Sequence, residues 1–245
     1  MMKIHTGTKA FDTLLDGGFE NDTITIVYGA GGTGKTNVCL HAALAAAKDK
    51  RKAIYIDTEG GFSMDRIHQL EGFTESLLDS IFFLRPTNFD LQKKAFEKLR
   101  DMIDQRVGIV IVDTIAMLYR LAIGKSEKVY SLNRELGRQI ALLSEISRKH
   151  NIPILLTNQV YSAMDGSEKN VMVGGDLLTY QSKCLVELKK TGNSYRQAIL
   201  RKHRSLPEER SVDFMITGGG IEKVDEKKKD EEVAQVHSAT NSSRS

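Results

Sequence analysis

Gly29, Ala30, Gly31, Gly32, Thr33, Gly34, Lys35 and Thr36 form a G-x4-G-K-T run, the strongest chemical signal in the 245-residue chain. Glycines at these spacings let backbone N–H groups close around phosphate oxygens, which a Cβ would obstruct. A lysine in this place reaches the β and γ phosphates, and the threonine hydroxyl after it ligates Mg²⁺. Asn37 completes the candidate nucleotide-binding set. A β-branched run, Thr23–Tyr28, precedes the glycines, and an Ala- and Leu-rich helical stretch, Lys35–Asp49, follows them. The start of that helix adds its positive dipole end to the anion site. ATP and Mg²⁺ are the expected cofactors.

Three later strand ends carry acids or amides. Asp113 closes the run Ile109–Asp113 (IVIVD), where a carboxylate holds Mg²⁺ through water. Glu59 follows Tyr55, Ile56, Asp57 and Thr58 and is the candidate base for polarising a water against the γ-phosphate. Asp57 is its rival. Gln159 ends Leu155–Gln159 (LLTNQ), with an amide suited to sensing the γ-phosphate and signalling to the loop beyond. The histidines (His5, His41, His68, His150, His203, His237) are scattered without metal-ligand spacing, and there is no G-x-S-x-G elbow. A separate zinc or serine-hydrolase site is therefore disfavoured.

These residues must be held by a βαβ array, because strand and helix signals alternate. Thr23–Tyr28, Ala53–Asp57, Ile81–Arg85, Ile109–Asp113 and Pro153–Asn158 read as strands. The uniformly apolar IVIVD run is expected of a central parallel strand covered on both faces. The spacing predicts helices over Thr87–Gln105, with Thr87 and Asp90 as a capping box, and over Tyr130–His150. In the latter, Leu132, Leu136, Ile140, Leu143 and Ile146 keep the helical period. Leu185–Lys190, Arg196–Arg201 and Val212–Thr217 read as strands joined by turns, an antiparallel extension of the sheet. Arg120–Val129 and Val160–Asp176 resist assignment and follow the two central strands, at the edge that faces ligand in open α/β sheets. One domain is expected over 1–224, and residues 225–245, charged then Ser/Asn-rich, read as a disordered tail.

Composition sets the outer bounds. At 40% hydrophobic and 27% charged residues, the chain reads as ordinary globular protein, which excludes collagen-like, mucin-like and wholly disordered classes. No apolar run is long enough for a bilayer and no secretory signal is visible at the N-terminus. Cys39 and Cys184 sit in apolar stretches, as buried reduced thiols do, so an intracellular, cytoplasmic location is expected. The net charge of +3 permits nucleic-acid binding without arguing for it.

Thr6–Gly18, the phosphate loop, Tyr55–Glu59, Ile111–Thr114, Thr157–Gln159, Gly174–Gly175, Leu206–Glu208 and Gly218–Gly220 together resemble the RecA superfamily, in its archaeal and eukaryotic recombinase branch. The resemblance covers roughly residues 6–224. It implies an α/β fold: a RecA-like P-loop ATPase core with a mostly parallel central sheet flanked by helices and an antiparallel C-terminal extension. The chain begins almost at that core, without the branch's N-terminal helix–hairpin–helix domain and docking linker. In this it resembles the archaeal recombinase paralogues, and long filaments are not expected. The implied function is ATP and DNA binding with weak ATP hydrolysis, auxiliary to homologous recombination and DNA repair. The alternatives are an active DNA-dependent ATPase performing strand exchange and a KaiC-like signalling ATPase. A small-molecule kinase is disfavoured, since no Arg-rich lid is found.

The same resemblance places DNA-contacting loops at the two unassigned stretches, with Arg120, Lys125 and Lys128 on the first and Lys169 on the second. Tyr161 is the candidate for stacking on a base. Pro207 matches a proline that caps ATP bound to the neighbouring subunit. Lys202 stands where the branch has an Asp that holds a monovalent cation, so Lys202 or Arg204 is expected to supply positive charge across a subunit interface. The implied partners are single-stranded DNA, the main recombinase, other recombination and repair proteins and further copies of the chain, with no membrane.

Overall fold

The computed structural model describes residues 2–124, 129–162, 170–192 and 194–224, with residues 161, 162, 170 and 171 described by backbone alone. The first half runs β1 (Lys3–Ile4), α1 (Lys9–Leu14), β2 (Phe19–Glu20), β3 (Ile24–Gly29), α2 (Lys35–Lys48), β4 (Lys52–Asp57) and α3 (Met64–Gln69). It continues through β5 (Ile81–Leu84), α4 (Phe89–Met102), β6 (Val107–Asp113), α5 (Met117–Ile123) and α6 (Val129–His150). Then come β7 (Ile154–Ser162), β8 (Asn170–Met172), α7 (Gly175–Gln181), β9 (Cys184–Lys190), β10 (Tyr195–His203), β11 (Ser211–Thr217) and β12 (Gly220–Lys223). The expected tail at 225–245 lies outside the described residues.

The main sheet has the order β12-β11-β10-β9-β3-β7-β6-β4-β5, with β8 paired to β7. From β5 across to β9 every pairing is parallel, and β10, β11 and β12 extend the sheet antiparallel. Alternation along the parallel strands feeds two cores, because successive side chains point to opposite faces. Val27, Tyr55, Ile109, Ile111 and Leu155 pack with α1 and α2. Ile26, Ile54, Ile56, Val110, Val112, Ile154 and Leu156 pack with α4, α5 and α6. Covering both faces in this way explains why the β6 sequence is apolar at every position before Asp113 except Gly108.

Two local readings need correction. Helix α4 is capped by Asn88, whose side chain accepts from the Leu91 N–H at 2.8 Å, and not by Thr87 and Asp90. Asn is as good an N-cap as Thr, and Asp90 falls in the first turn, where a carboxylate favours the helix dipole. The unassigned stretches also hold more structure than expected: α5 enters the first, while the β7–β8 hairpin and the start of α7 occupy the second. Among the described residues no helix is long and apolar enough to cross a membrane.

His41 of α2 ties this helix to the far edge of the sheet: its Nε2 accepts the Ile221 N–H at 3.0 Å. Burial, followed by the Arg66 and Lys48 cations, pushes its pKa down to about 4. An unfolded histidine titrates near pH ~6.5. Between those values the unfolded chain binds the extra proton, so stability present above pH ~6.5 is lost as the pH falls towards 4. The contribution is about 3 kcal/mol. Urea midpoints of wild type and His41→Gln should converge between pH 7 and 4.5; a constant gap would remove His41 as the source.

Candidate nucleotide site

The C-terminal ends of β3, β4, β6 and β7 meet on one side of the molecule, and the glycine-rich loop from 29 to 34 leaves β3 there to enter α2. Gly29 sits in the sheet between Gln159 of β7 and Leu188 of β9. A Cβ on it would fall 2.4 Å from the Leu188 carbonyl oxygen, so the close strand approach requires glycine. Gly34 caps α2 with φ +105, in the left-handed region, and no side chain satisfies the helix's first N–H groups. Those donors point into the loop together with the exposed backbone of Ala30, Gly31 and Gly32. The Thr33 hydroxyl donates to the Ala30 carbonyl at 2.9 Å and braces the loop.

Lys35 is buried, and its Nζ donates to the Gly29 and Ala30 carbonyls at 3.0 Å each. Burial lowers its pKa, while the Glu59 and Asp113 carboxylates pull the other way. Both acids are therefore within electrostatic reach of the ammonium. Thr36 is half-buried, and a Cβ added at Gly61 would lie 3.7 Å from its hydroxyl, so Thr36 faces the turn that carries Glu59.

Asp113 is 2% exposed, and its two oxygens accept from the Tyr55 hydroxyl at 3.0 Å and the Thr157 hydroxyl at 2.5 Å. Each oxygen keeps one lone pair for a further donor. Asp57 behaves differently from its neighbour Glu59. Its carboxylate accepts from the N–H groups of Gly60, Gly61 and Phe62, so it shapes the turn at the end of β4. Glu59 is exposed, and its Oε1 accepts from the Thr114 hydroxyl at 3.0 Å and the Gln159 amide at 2.9 Å. One carboxylate oxygen thus joins the ends of β4, β6 and β7. Sequence reasoning missed Thr58, Thr114 and Thr157, although a threonine recurs at each of these strand ends. Thr58 and Thr114 also bond reciprocally, at 2.7 and 2.9 Å.

Cations line the rim. Arg66 of α3 donates from Nε to Asn37 at 2.8 Å, and its other nitrogens reach the Thr217 and Gly218 carbonyls at 2.9 Å each. Asn37 thus anchors a neighbouring arginine through its side-chain oxygen. Lys190 approaches Gly32 closely, since a Cβ there would lie 3.1 Å from its Nζ.

Pro207 lies at the other end of the molecule. The loop after β10 that carries it is bound to β2: Arg204 Nε donates to Glu20 at 2.5 Å. Arg204 and Lys202 both make hydrogen bonds within their own chain. Lys202 donates to the carbonyls of Thr179 and Ser182 at 2.7 and 2.9 Å, at the C-terminal end of α7. A register shift between Leu200 and Lys202 aims it there, and an ammonium suits the negative end of a helix. Burial, with the Lys183 ammonium nearby, lowers its pKa.

Of the candidate DNA contacts, Arg120 stands exposed on α5. Lys125, Lys128 and Lys169 lie outside the described residues. Tyr161 belongs to β7, opposite Val171 of β8. The nucleotide set fits a nucleoside triphosphate: backbone donors around a cradle, an open helix start, a lysine and a hydroxyl. Among the described residues no group of three or more His, Cys, Asp or Glu could hold a metal ion.

The chain matches the family model described as Rad51 over residues 1–224. It is 37% identical over 214 residues to the DNA repair and recombination protein RadB of Methanococcoides burtonii, covering 87% of this chain and 94% of that one. Its identity to the protein of the same description from Methanococcus maripaludis is 40% over 213 residues, covering 86% and 96%. A solved structure described as the crystal structure of the RadB recombinase is similar at a TM-score of 0.77 and 34% identity, over 91% of this chain and all of that one.

Proposed function

The chain belongs to the Rad51 family, and from that premise we propose that it is an ATP- and DNA-binding recombinase paralogue, hydrolysing ATP slowly and assisting homologous recombination and repair. The single observation that carries the hydrolytic part is the Glu59 carboxylate, held by Thr114 and Gln159 beside the phosphate loop. Bound ATP supplies a phosphorus centre open to in-line attack, and Mg²⁺ neutralises its oxygens. With nucleotide bound, the Lys35 ammonium, now on the Gly29 and Ala30 carbonyls, would hold the β and γ phosphates. Thr36 and Asp113 would hold the metal, which would neutralise phosphate charge there. Glu59 orients a water and takes its proton. Oε1 already accepts two hydrogen bonds, which leaves Oε2 for that role.

Gln159 links this chemistry to the β7–β8 hairpin. It pairs with Gly29 in register and bonds Glu59, and the strand it belongs to runs into the second candidate DNA stretch. This supports a nucleotide-gated DNA contact. Pro207, at the opposite end of the strands, suits a cap on the nucleotide of a second copy stacked head to tail.

ATP hydrolysis with and without single-stranded DNA tests the reading, with Glu59→Gln as the blank. Slow turnover that DNA changes less than about tenfold, with ATP and DNA both bound, is the expected result for an auxiliary paralogue. Strong stimulation lost in Glu59→Gln would replace it with a strand-exchanging motor.

A further inference from the structure

The β9–β10 hairpin brings two cations to the phosphate loop from outside the strand–loop–helix unit. Strand β9 pairs parallel with β3 and so ends at the same edge of the sheet, and Lys190 is its last residue. Residues two apart share a face of a strand, so Lys190 stands on the side of Leu188, which packs in the core formed with α1 and α2. Arg196 is the register partner of Lys190 on β10 and stands on the side of Ala198, in the same core. Both cations therefore project from the face that carries α2. They converge on Gly32. The Lys190 ammonium lies in the space that a side chain at this glycine would fill, 3.1 Å from an added Cβ. Arg196 donates from Nε and Nη2 to the Gly32 carbonyl at 3.4 and 3.5 Å, long contacts that hold the guanidinium loosely.

Like charges directly opposite each other destabilise an antiparallel pair. The one acid on either strand, Glu187, is taken by Lys189 and Arg201. Neither Lys190 nor Arg196 makes an ion pair among the described residues. A repulsive pair held at a cost to stability, beside backbone donors, fits an anion of more than one charge, and a triphosphate tail is such an anion. We propose that the hairpin supplies a second clamp on the bound nucleotide from within the same chain, in which Lys190 contacts the phosphate tail and Arg196 positions the Gly32 turn against it. The inference rests on the nucleotide-binding part of the proposed function and adds to Lys35 a cation from a distant strand. It also gives the antiparallel extension of the sheet a part in nucleotide binding.

The test reads calorimetric titration with ATP and Mg²⁺ together with the urea midpoint of the nucleotide-free chain, both at low salt, where exposed charges are least screened. Lys190→Gln should weaken ATP binding by about tenfold, less than Lys35→Ala, because Lys190 is exposed. The same variant should raise the urea midpoint, since the cross-strand repulsion is gone. Lys190→Glu should raise it further by pairing with Arg196, and should weaken ATP binding by about 100-fold, because a carboxylate then faces the phosphates. A residue that only held the hairpin together would lower the midpoint when replaced, so the opposite signs of the two effects separate the roles. ATP affinity of Lys190→Gln within about twofold of wild type overturns the clamp and leaves the phosphate loop standing. Affinity lost for a fluorescent single-stranded oligomer but kept for ATP overturns it too, and assigns the cations to nucleic acid. Weaker ATP binding with a lowered midpoint also overturns it. If wild type binds no ATP, the nucleotide reading falls and the clamp with it.

Discussion

Lys35→Ala is expected to weaken ATP binding by about 100- to 10,000-fold, corresponding to the loss of two charge-assisted hydrogen bonds at about 1.5–3 kcal/mol each. The ammonium is confined: burial opposes its charge, and its present partners are two carbonyls of the phosphate loop itself. Two neutral acceptors compensate a buried cation poorly, so exchange for phosphate oxygens is strongly favourable. Lys35→Arg should recover little, because a planar fork cannot follow the path of a single Nζ between Gly29 and Ala30. Calorimetric titration with ATP and Mg²⁺ reads the effect, and circular dichroism of the variant checks the fold. Affinity within threefold of wild type would remove the phosphate loop as the binding element.

Glu59→Gln should stop turnover by about 100-fold or more while leaving ATP affinity within about threefold, the mark of a lost general base. The substitution is nearly isosteric and keeps an oxygen to accept from Thr114. It replaces the other oxygen by an amide that cannot take a proton. Asp57→Asn is the contrasting variant. Its carboxylate accepts three backbone N–H groups, so its loss should lower stability and distort the turn carrying Glu59. Single-turnover hydrolysis separates chemistry from product release. Equal rates for wild type and Glu59→Gln would return the base to some other group.

Which of these relations the sequence made legible follows from distance along the chain. The phosphate loop was readable because its function needs a local pattern of glycines between a strand and a helix. The antiparallel extension was readable because Leu185–Lys190, Arg196–Arg201 and Val212–Thr217 leave no room for crossover helices. Helix α7 escaped because seven residues are too few to show a helical period. The partners of Lys202 escaped for a different reason: they are main-chain carbonyls at the end of that unseen helix, and a carbonyl has no letter in the sequence. Glu59 could be proposed from its place after a strand, but its junction with Thr114 and Gln159 spans 55 and 100 residues. Only the strand order, with β6 between β4 and β7, brings them together.

The placement of the phosphate loop and Pro207 at opposite ends of the strands gives any stack of copies a direction. Each junction would complete one nucleotide site, so a row would always contain one fewer complete site than it has members. The two terminal chains would differ chemically: one would present an open nucleotide mouth, the other a proline with nothing to cover. Exchange of ADP for ATP would then be fastest at a single end, and short assemblies, with the largest share of uncovered sites, would lose nucleotide most readily. Length itself would become a timer.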